Sequence, residues 1–280
     1  MTEISAALVK ELREETNVGM MECKRALVES GGDKEKAVKF LRERGLAVAG
    51  KKASRTAKEG QVAADVASGG KLGVLVEVDC ETDFVARNAI FQSFLKTVVE
   101  KAKTVQGELG EAMKAEVTAK IQEIGENIIV RRHVRYEVQG HGIVASYIHL
   151  GGKVGVLLEV GCEKDETTQK DLFKDTVKDI TLHIAACNPQ FLERKNVPES
   201  IVQAEKEIYA KQVTNKPANI IEKIVTGKLE KFYGLVCLVE QGFVKDPDQS
   251  VTEWLAGRGK ELGDTLTIRR FARFQVGEQV

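Results

Sequence analysis

Gly69-Gly70-Lys71-Leu72-Gly73-Val74-Leu75-Val76-Glu77-Val78-Asp79-Cys80-Glu81-Thr82-Asp83 returns later in the chain as Gly151-Gly152-Lys153-Val154-Gly155-Val156-Leu157-Leu158-Glu159-Val160-Gly161-Cys162-Glu163-Lys164-Asp165, with eleven of fifteen positions identical. A second match pairs Ile129-Val130-Arg131-Arg132-His133-Val134-Arg135-Tyr136 with Thr267-Ile268-Arg269-Arg270-Phe271-Ala272-Arg273-Phe274. Two related halves therefore build the main domain. What both copies keep reads as scaffold. What one copy alone carries is a candidate for function.

Working outward, residues 61–67 alternate apolar and small, residues 72–78 are rich in Val and Leu, and Gly69-Gly70 between them reads as a hairpin turn. The second copy repeats the plan with strands over 142–150 and 154–160. A helix follows each pair, marked by Phe91, Leu95, Val98 and Val99 in the first half and by Phe173, Val177, Ile180 and Ile184 in the second. Further helices over about 111–123 and 250–262 end at Gly125 and Gly263 and lead into strands 128–138 and 266–276. Each half is thus β-β-α-α-β. Helices must cover one face of each sheet, which makes the class α+β. The numbering offset between the copies is larger at the second match than at the first, so the second half carries an insertion, which falls between about 189 and 248. There, residues 199–214 read as a helix, Asn215-Lys216-Pro217 as a turn, and Ile220, Ile221, Ile224 and Val225 as the apolar face of a second helix. The insertion is expected to be a protruding antiparallel helical hairpin.

Residues 1–45 predict three short helices. Leu8 and Leu12 share a face of the first, Asn17-Val18-Gly19 is a turn, and Met20, Cys23 and Leu27 line one side of the second. Asp33 caps the third, over 34–44, with Ala37, Phe40 and Leu41 inward and Gly45 as its stop. Lys51, Lys52, Arg55 and Lys58 then lie in a small-residue stretch that reads as a linker.

Lys and Arg number 42 and so do Asp and Glu, so no global charge draws the chain to nucleic acid or an anionic membrane. Five cysteines with no CxxC argue against a disulfide scaffold or structural zinc. The acidic, amphipathic N-terminus is not a signal peptide, and no apolar run reaches spanning length. No GxxxxGK[ST], GxSxG or HExxH occurs, and the glycine-rich turn recurs in both halves, so it reads as turn geometry. His133, His141, His149 and His183 make no ligand cluster. Cys80 and Cys162 are equivalent and read as buried scaffold. No enzyme, metal or cofactor is expected.

The copies part company after the shared Cys. The first reads Cys80-Glu81-Thr82-Asp83-Phe84-Val85, the second Cys162-Glu163-Lys164-Asp165-Glu166-Thr167. Phe84 and Val85 are apolar where the second copy is polar, so the scaffold does not require an aromatic there. An exposed aromatic on a strand-to-helix loop is a protein-binding anchor; alternatively Phe84 tucks under its own helix.

Thr82-Asp83-Phe84-Val85 is the point at which the chain resembles the elongation factor Ts family of guanine-nucleotide exchange factors for elongation factor Tu. The resemblance extends from residues 8–13 with Thr16, Gly19, Met20-Met21 and Cys23-Lys24, through residues 71–75 and 84–86, to Ile124-Gly125-Glu126-Asn127-Ile128, Arg131-Arg132, residues 228–232, Phe243-Val244 and residues 268–271. It implies a ubiquitin-associated-like domain over 1–45, a linker over 46–60, core subdomains over 61–140 and 141–280, and a coiled-coil hairpin over 190–247. It implies that Asp83 and Phe84, with Thr82 and Val85, enter the GTPase domain of elongation factor Tu, in its GDP-bound and nucleotide-free forms, and loosen Mg²⁺ and GDP. Met20 and Met21 are expected to make adaptable contacts to the same domain. A bacterial cytoplasmic location follows as the default, and self-association through the hairpin or a sheet edge stays open. The other classes are a nucleic-acid binder using the linker lysines with Arg131, Arg132, Arg269 and Arg270, and a purely structural interaction module.

Overall fold

The computed structural model describes residues 4–16, 18–213 and 217–279. The turn residues Asn17, Asn215 and Lys216, and Thr214 at the expected helix end, lie outside them.

Three helices come first: α1 (Ala6–Thr16), α2 (Met20–Glu29) and α3 (Lys34–Lys52). They pack around Leu12, Cys23, Ala26, Leu27, Ala37 and Leu41. Asp33 accepts the Lys36 N–H at 3.0 Å, a cap worth about 1 kcal/mol. Gly31 and Gly32 turn the chain between α2 and α3 with φ of 61° and 86°, a region open to glycine at little cost.

The first half of the core runs β1 (Glu59–Val66), β2 (Leu72–Cys80), α4 (Asp83–Ala86), α5 (Ala89–Ala102), α6 (Leu109–Ala112), α7 (Lys114–Ile124) and β3 (Ile128–Glu137). The second runs β4 (Gly142–His149), β5 (Val154–Gly161), α8 (Asp171–Cys187), α9 (Glu199–Lys211), α10 (Ala218–Val236), β6 (Gly242–Phe243), β7 (Asp246–Ser250), α11 (Val251–Leu262) and β8 (Thr267–Gln275). The two three-stranded antiparallel sheets have orders β1-β2-β3 and β4-β5-β8. The duplication is thus visible strand for strand. Even the β-bulges correspond, between Glu77 and Val78 in one sheet and between Glu159 and Val160 in the other.

The helix expected over 111–123 is two pieces, because the chain breaks helical geometry at Met113, whose side chain is buried in the core. Gly45 does not stop its helix. α3 continues to Lys52, which removes residues 46–52 from the expected linker, while Glu59 and Gly60 begin β1. A Cβ at Gly45 would stand 2.5 Å from Gln122 Oε1. The glycine therefore leaves room for the Gln122 side chain where α3 faces α7. Lys52 also donates to the Gly125 carbonyl at the end of α7. The lysine is thus anchored to the core.

Alternate residues of β2 serve two cores. Val74, Val76, Val78 and Cys80 pack with α5 and α7, and Val156, Val160 and Leu158 of β5 do the same with α8 and α11. On the opposite face, Val62, Leu75 and Tyr136 meet Val144, Leu157 and Phe274. These are three residues and their counterparts in the other half. The contacts are reciprocal, as across a two-fold axis. A Cβ on Gly73 would meet Val144 and Leu157, and one on Gly155 would meet Val62 and Leu75.

The insertion holds α9 and α10, packed through Val202, Leu229, Tyr209 and Phe232, with Pro217 at the start of α10. It also holds the β6–β7 hairpin, which has no periodicity long enough to announce itself. His183 of α8 binds this segment into the core. Its Nε2 is 2.9 Å from Gln241 Oε1, and its Nδ1 accepts the Val244 N–H at 3.1 Å.

Gly73→Ala is expected to destabilise the protein by about 1–3 kcal/mol through overpacking of the seam, read as a lower urea midpoint. Gly50→Ala is the control. It lies in α3 with open space around it and should leave stability unchanged or raise it by about 1 kcal/mol. Equal effects of the two would contradict the close approach.

Candidate functional site

β2 ends at Cys80, and the residues that follow form a braced turn. Thr82 is the N-cap of α4, its Oγ1 accepting the Val85 N–H at 3.3 Å. The same hydroxyl donates to Glu126 Oε1 at 2.7 Å. Glu126 Oε2 accepts the backbone N–H groups of Glu81 and Thr82 at 3.1 and 3.0 Å. In return, Glu81 Oε1 accepts the Asn127 N–H at 2.7 Å, and the Asn127 amide donates to the Arg55 carbonyl at 2.9 Å. The loop leaving β2 and the loop entering β3 are clamped to each other by reciprocal carboxylate bonds, which are stronger than neutral ones.

The same device occurs in the second half. Asp264, the counterpart of Glu126 in the repeat, accepts the Glu163 and Lys164 N–H groups at 3.0 and 3.1 Å and the Thr167 hydroxyl. The clamp is scaffold. So are the cysteines: Cys80 and Cys162 each donate a thiol bond to the carbonyl two residues on, at 3.1 and 3.2 Å. Burial pushes the Cys80 thiol up to about 12, which leaves no thiolate for nucleophilic work.

On this braced turn Phe84 is 83% exposed. It does not tuck under its helix. Val85 turns the other way and packs half-buried against the first-half core. Its counterpart Thr167 is fully buried, so that position serves packing in both halves. Asp83 sits beside Phe84 and pairs with Arg87 at 3.1 Å. Exposed pairs of this kind contribute at most about 1 kcal/mol. Thr82 caps the turn, Asp83 and Phe84 face outward, and Val85 anchors it.

Met20 and Met21 lie on another element, α2, and are 45% and 69% exposed. Met20 is not on the inner face with Cys23 and Leu27; Ala26 takes that place. The helical period puts Ala26 three residues from Cys23, on the same side.

The arginines that suggested nucleic acid have internal partners. Arg131 pairs with Asp79 at 2.8 Å and Arg132 with Glu77 at 2.5 Å. Arg269 and Arg270 reach Glu159 at 3.0 and 2.7 Å. Arg131 and Arg269 are the extra residues of the two bulges, which lets adjacent arginines reach one face of the sheet. Among the described residues, no group of three or more His, Cys, Asp or Glu could hold a metal ion, and no helix is long and apolar enough to cross a membrane.

Glu126 is the residue that sequence reasoning passed over. The signal was present: an acid follows the helix-ending glycine in both halves, as Gly125-Glu126 and Gly263-Asp264. Glu126→Ala removes the acceptor of three donors and is expected to cost about 2–3 kcal/mol. Amide exchange at Thr82 and Val85 should quicken well before the sheet opens, while Asp83→Ala should change stability by less than about 1 kcal/mol. Unaltered exchange at the turn in Glu126→Ala would show that the clamp does not hold it.

The family model for elongation factor TS matches residues 81–278. The chain is 45% identical to the elongation factor Ts of Trichlorobacter lovleyi, over 98% of this chain and 93% of that one. It is 43% identical to the elongation factor Ts of Clostridium botulinum (strain Alaska E43 / Type E3) over 99% and 94%, and 43% identical to that of Nitratiruptor sp. over 99% and 94%. The chain therefore belongs to the elongation factor Ts family, whose members are not enzymes.

Proposed function

We propose that this chain is a guanine-nucleotide exchange factor that binds elongation factor Tu and promotes release of GDP and Mg²⁺. The observation that carries the reading is Phe84, 83% exposed on a turn braced by Glu126. A free aromatic on a rigid support loses little conformational freedom on binding, so its apolar surface converts efficiently into affinity. Nucleotide phosphates and Mg²⁺ are held by ligands in a demanding geometry. A ring wedged into the shell that supports those ligands displaces them. A factor that binds the nucleotide-free state best lowers nucleotide affinity by the same coupling free energy. No covalent step and no cofactor of its own are required.

In this reading Phe84 is the wedge and Asp83 its polar neighbour, Thr82 and Val85 hold the turn, and Met20 and Met21 contact the same GTPase domain. The three N-terminal helices act as a ubiquitin-associated-like docking domain, α9 and α10 as a coiled-coil arm, and the setting is the bacterial cytoplasm. Family membership and the exposed methionines support these assignments. The nucleic-acid alternative is weakened by the internal pairing of Arg131, Arg132, Arg269 and Arg270.

Stopped-flow release of a fluorescent GDP analogue from elongation factor Tu tests the proposal. The unaltered chain should accelerate release, and Phe84→Ala should lose about tenfold or more of that acceleration with its thermal midpoint unchanged. Full acceleration by Phe84→Ala would remove the wedge. No acceleration by the unaltered chain would remove the function.

A further inference from the structure

The two halves handle their third arginine differently. Arg135 of β3 has a carbonyl and a carboxylate as partners: its Nε donates to the Lys103 carbonyl at 2.8 Å, and its Nη2 pairs with Glu137 at 2.9 Å. Its counterpart in the repeat is Arg273 of β8. The position matching Glu137 holds Gln275, a neutral amide, and Arg273 Nη2 donates to it at 2.9 Å. Arg273 Nε and Nη1 are buried with no hydrogen-bond partner among the described residues. A second carboxylate is also missing: Gly161 stands where the first half has Asp79, so Arg269 and Arg270 share Glu159. Three arginines face three carboxylates in the first half and one in the second.

Arg273 is half-buried, with Glu278 as the acid nearest in effect, and guanidinium nitrogens left without hydrogen-bond partners away from water are costly. Burial holds Arg273 below the usual guanidinium range. The residue lines a cavity of about 610 Å³, together with Arg132, Arg269, Arg270, Asn188 and Gln190. Among the described residues, Glu278 is the one acidic residue in that lining, and it pairs with Arg132 at 3.0 Å. Arginine forks suit oxyanions geometrically, and buried charges are paired as a rule.

We propose that this cavity is a binding site for a small phosphorylated molecule, whose oxyanion takes the place of the Gln275 amide on Arg273. The size favours a molecule larger than an inorganic ion, and Phe191 and Phe271 in the wall offer apolar surface to its organic part. The other arginines of the wall are already paired, so one oxyanion group suffices, which favours a small ligand over a polymer backbone. The site is separate from the Phe84 turn, and the proposal does not rest on the exchange-factor reading.

Calorimetric titration of the full chain with pyrophosphate at constant ionic strength tests it, with acetate as the carboxylate comparison. The unaltered chain should bind pyrophosphate saturably and more tightly than acetate. Arg273→Gln should weaken binding about tenfold or more, the loss expected for a charged hydrogen-bonding partner. Gln275→Glu should do the same without removing the arginine, because it restores the carboxylate of the first half. Gln275→Glu should also raise the thermal midpoint in anion-free buffer. Absence of saturable binding, or binding equal in all three proteins, would overturn the proposal.

Discussion

The seam between the two sheets is the contact on which the rest depends. Each half has a three-stranded sheet with helices on one face only, and its other face has to be buried elsewhere. It is buried against its own copy. Gly73 and Gly155 let the strands approach, and Leu75 and Leu157 fill the space that their absent side chains leave. Across the same seam, the Arg132 guanidinium lies 4.3 Å from the centre of the Phe274 ring, and Arg270 lies 4.3 Å from that of its counterpart Tyr136. Each arginine is also tied to a buried glutamate of its own sheet. Burial raises the Glu77 carboxyl, and Arg132 opposes it. Such pairs gain little net stability once desolvation is counted. A one-residue slip of either sheet would break them all, so their contribution is to register.

The seam reaches the Phe84 turn through β2. That strand is buried on both faces over most of its length, so its end at Cys80 is fixed in space. Glu126, at the entry to β3, holds the following backbone. The aromatic is presented by two strands of one rigid sheet, and its flanking α4 makes a single turn. A one-turn helix this short could not order itself alone, because short isolated helices are unstable in water. The order is imported from the sheet.

Much of this was legible in the sequence. The repeat offsets located two β-β-α-α-β halves and the insertion that lengthens the second. Agreement between the copies marked Cys80 and Cys162 as scaffold, and disagreement singled out Phe84. The exposure of Phe84 was not legible, since an aromatic in a loop can face either way until its neighbours are placed. Gly45 was misleading because one residue type serves two purposes: ending a helix and leaving room for a neighbouring side chain. Only the partner helix, with Gln122, distinguishes them. The roles of Arg131 and Arg132 were hidden by the bulge. Strict alternation would send adjacent side chains to opposite faces, whereas here both reach acids on one face. Val85 was grouped with Phe84 by its apolarity, but a one-turn helix separates them by direction.

Duplication also explains where the halves were free to differ. The seam residues are constrained twice, since each contacts its partner's copy, and a change must be tolerated on both sides of the pseudo-axis. Positions outside the seam are constrained once. There the first half carries Phe84 where the second has Glu166, and the second half has Gln275 where the first has Glu137. The insertion that adds α9 and α10 likewise falls between α8 and α11, beyond the strands that meet at the seam. Surface features could therefore be gained by one half and charges lost by the other without disturbing the packing that holds both.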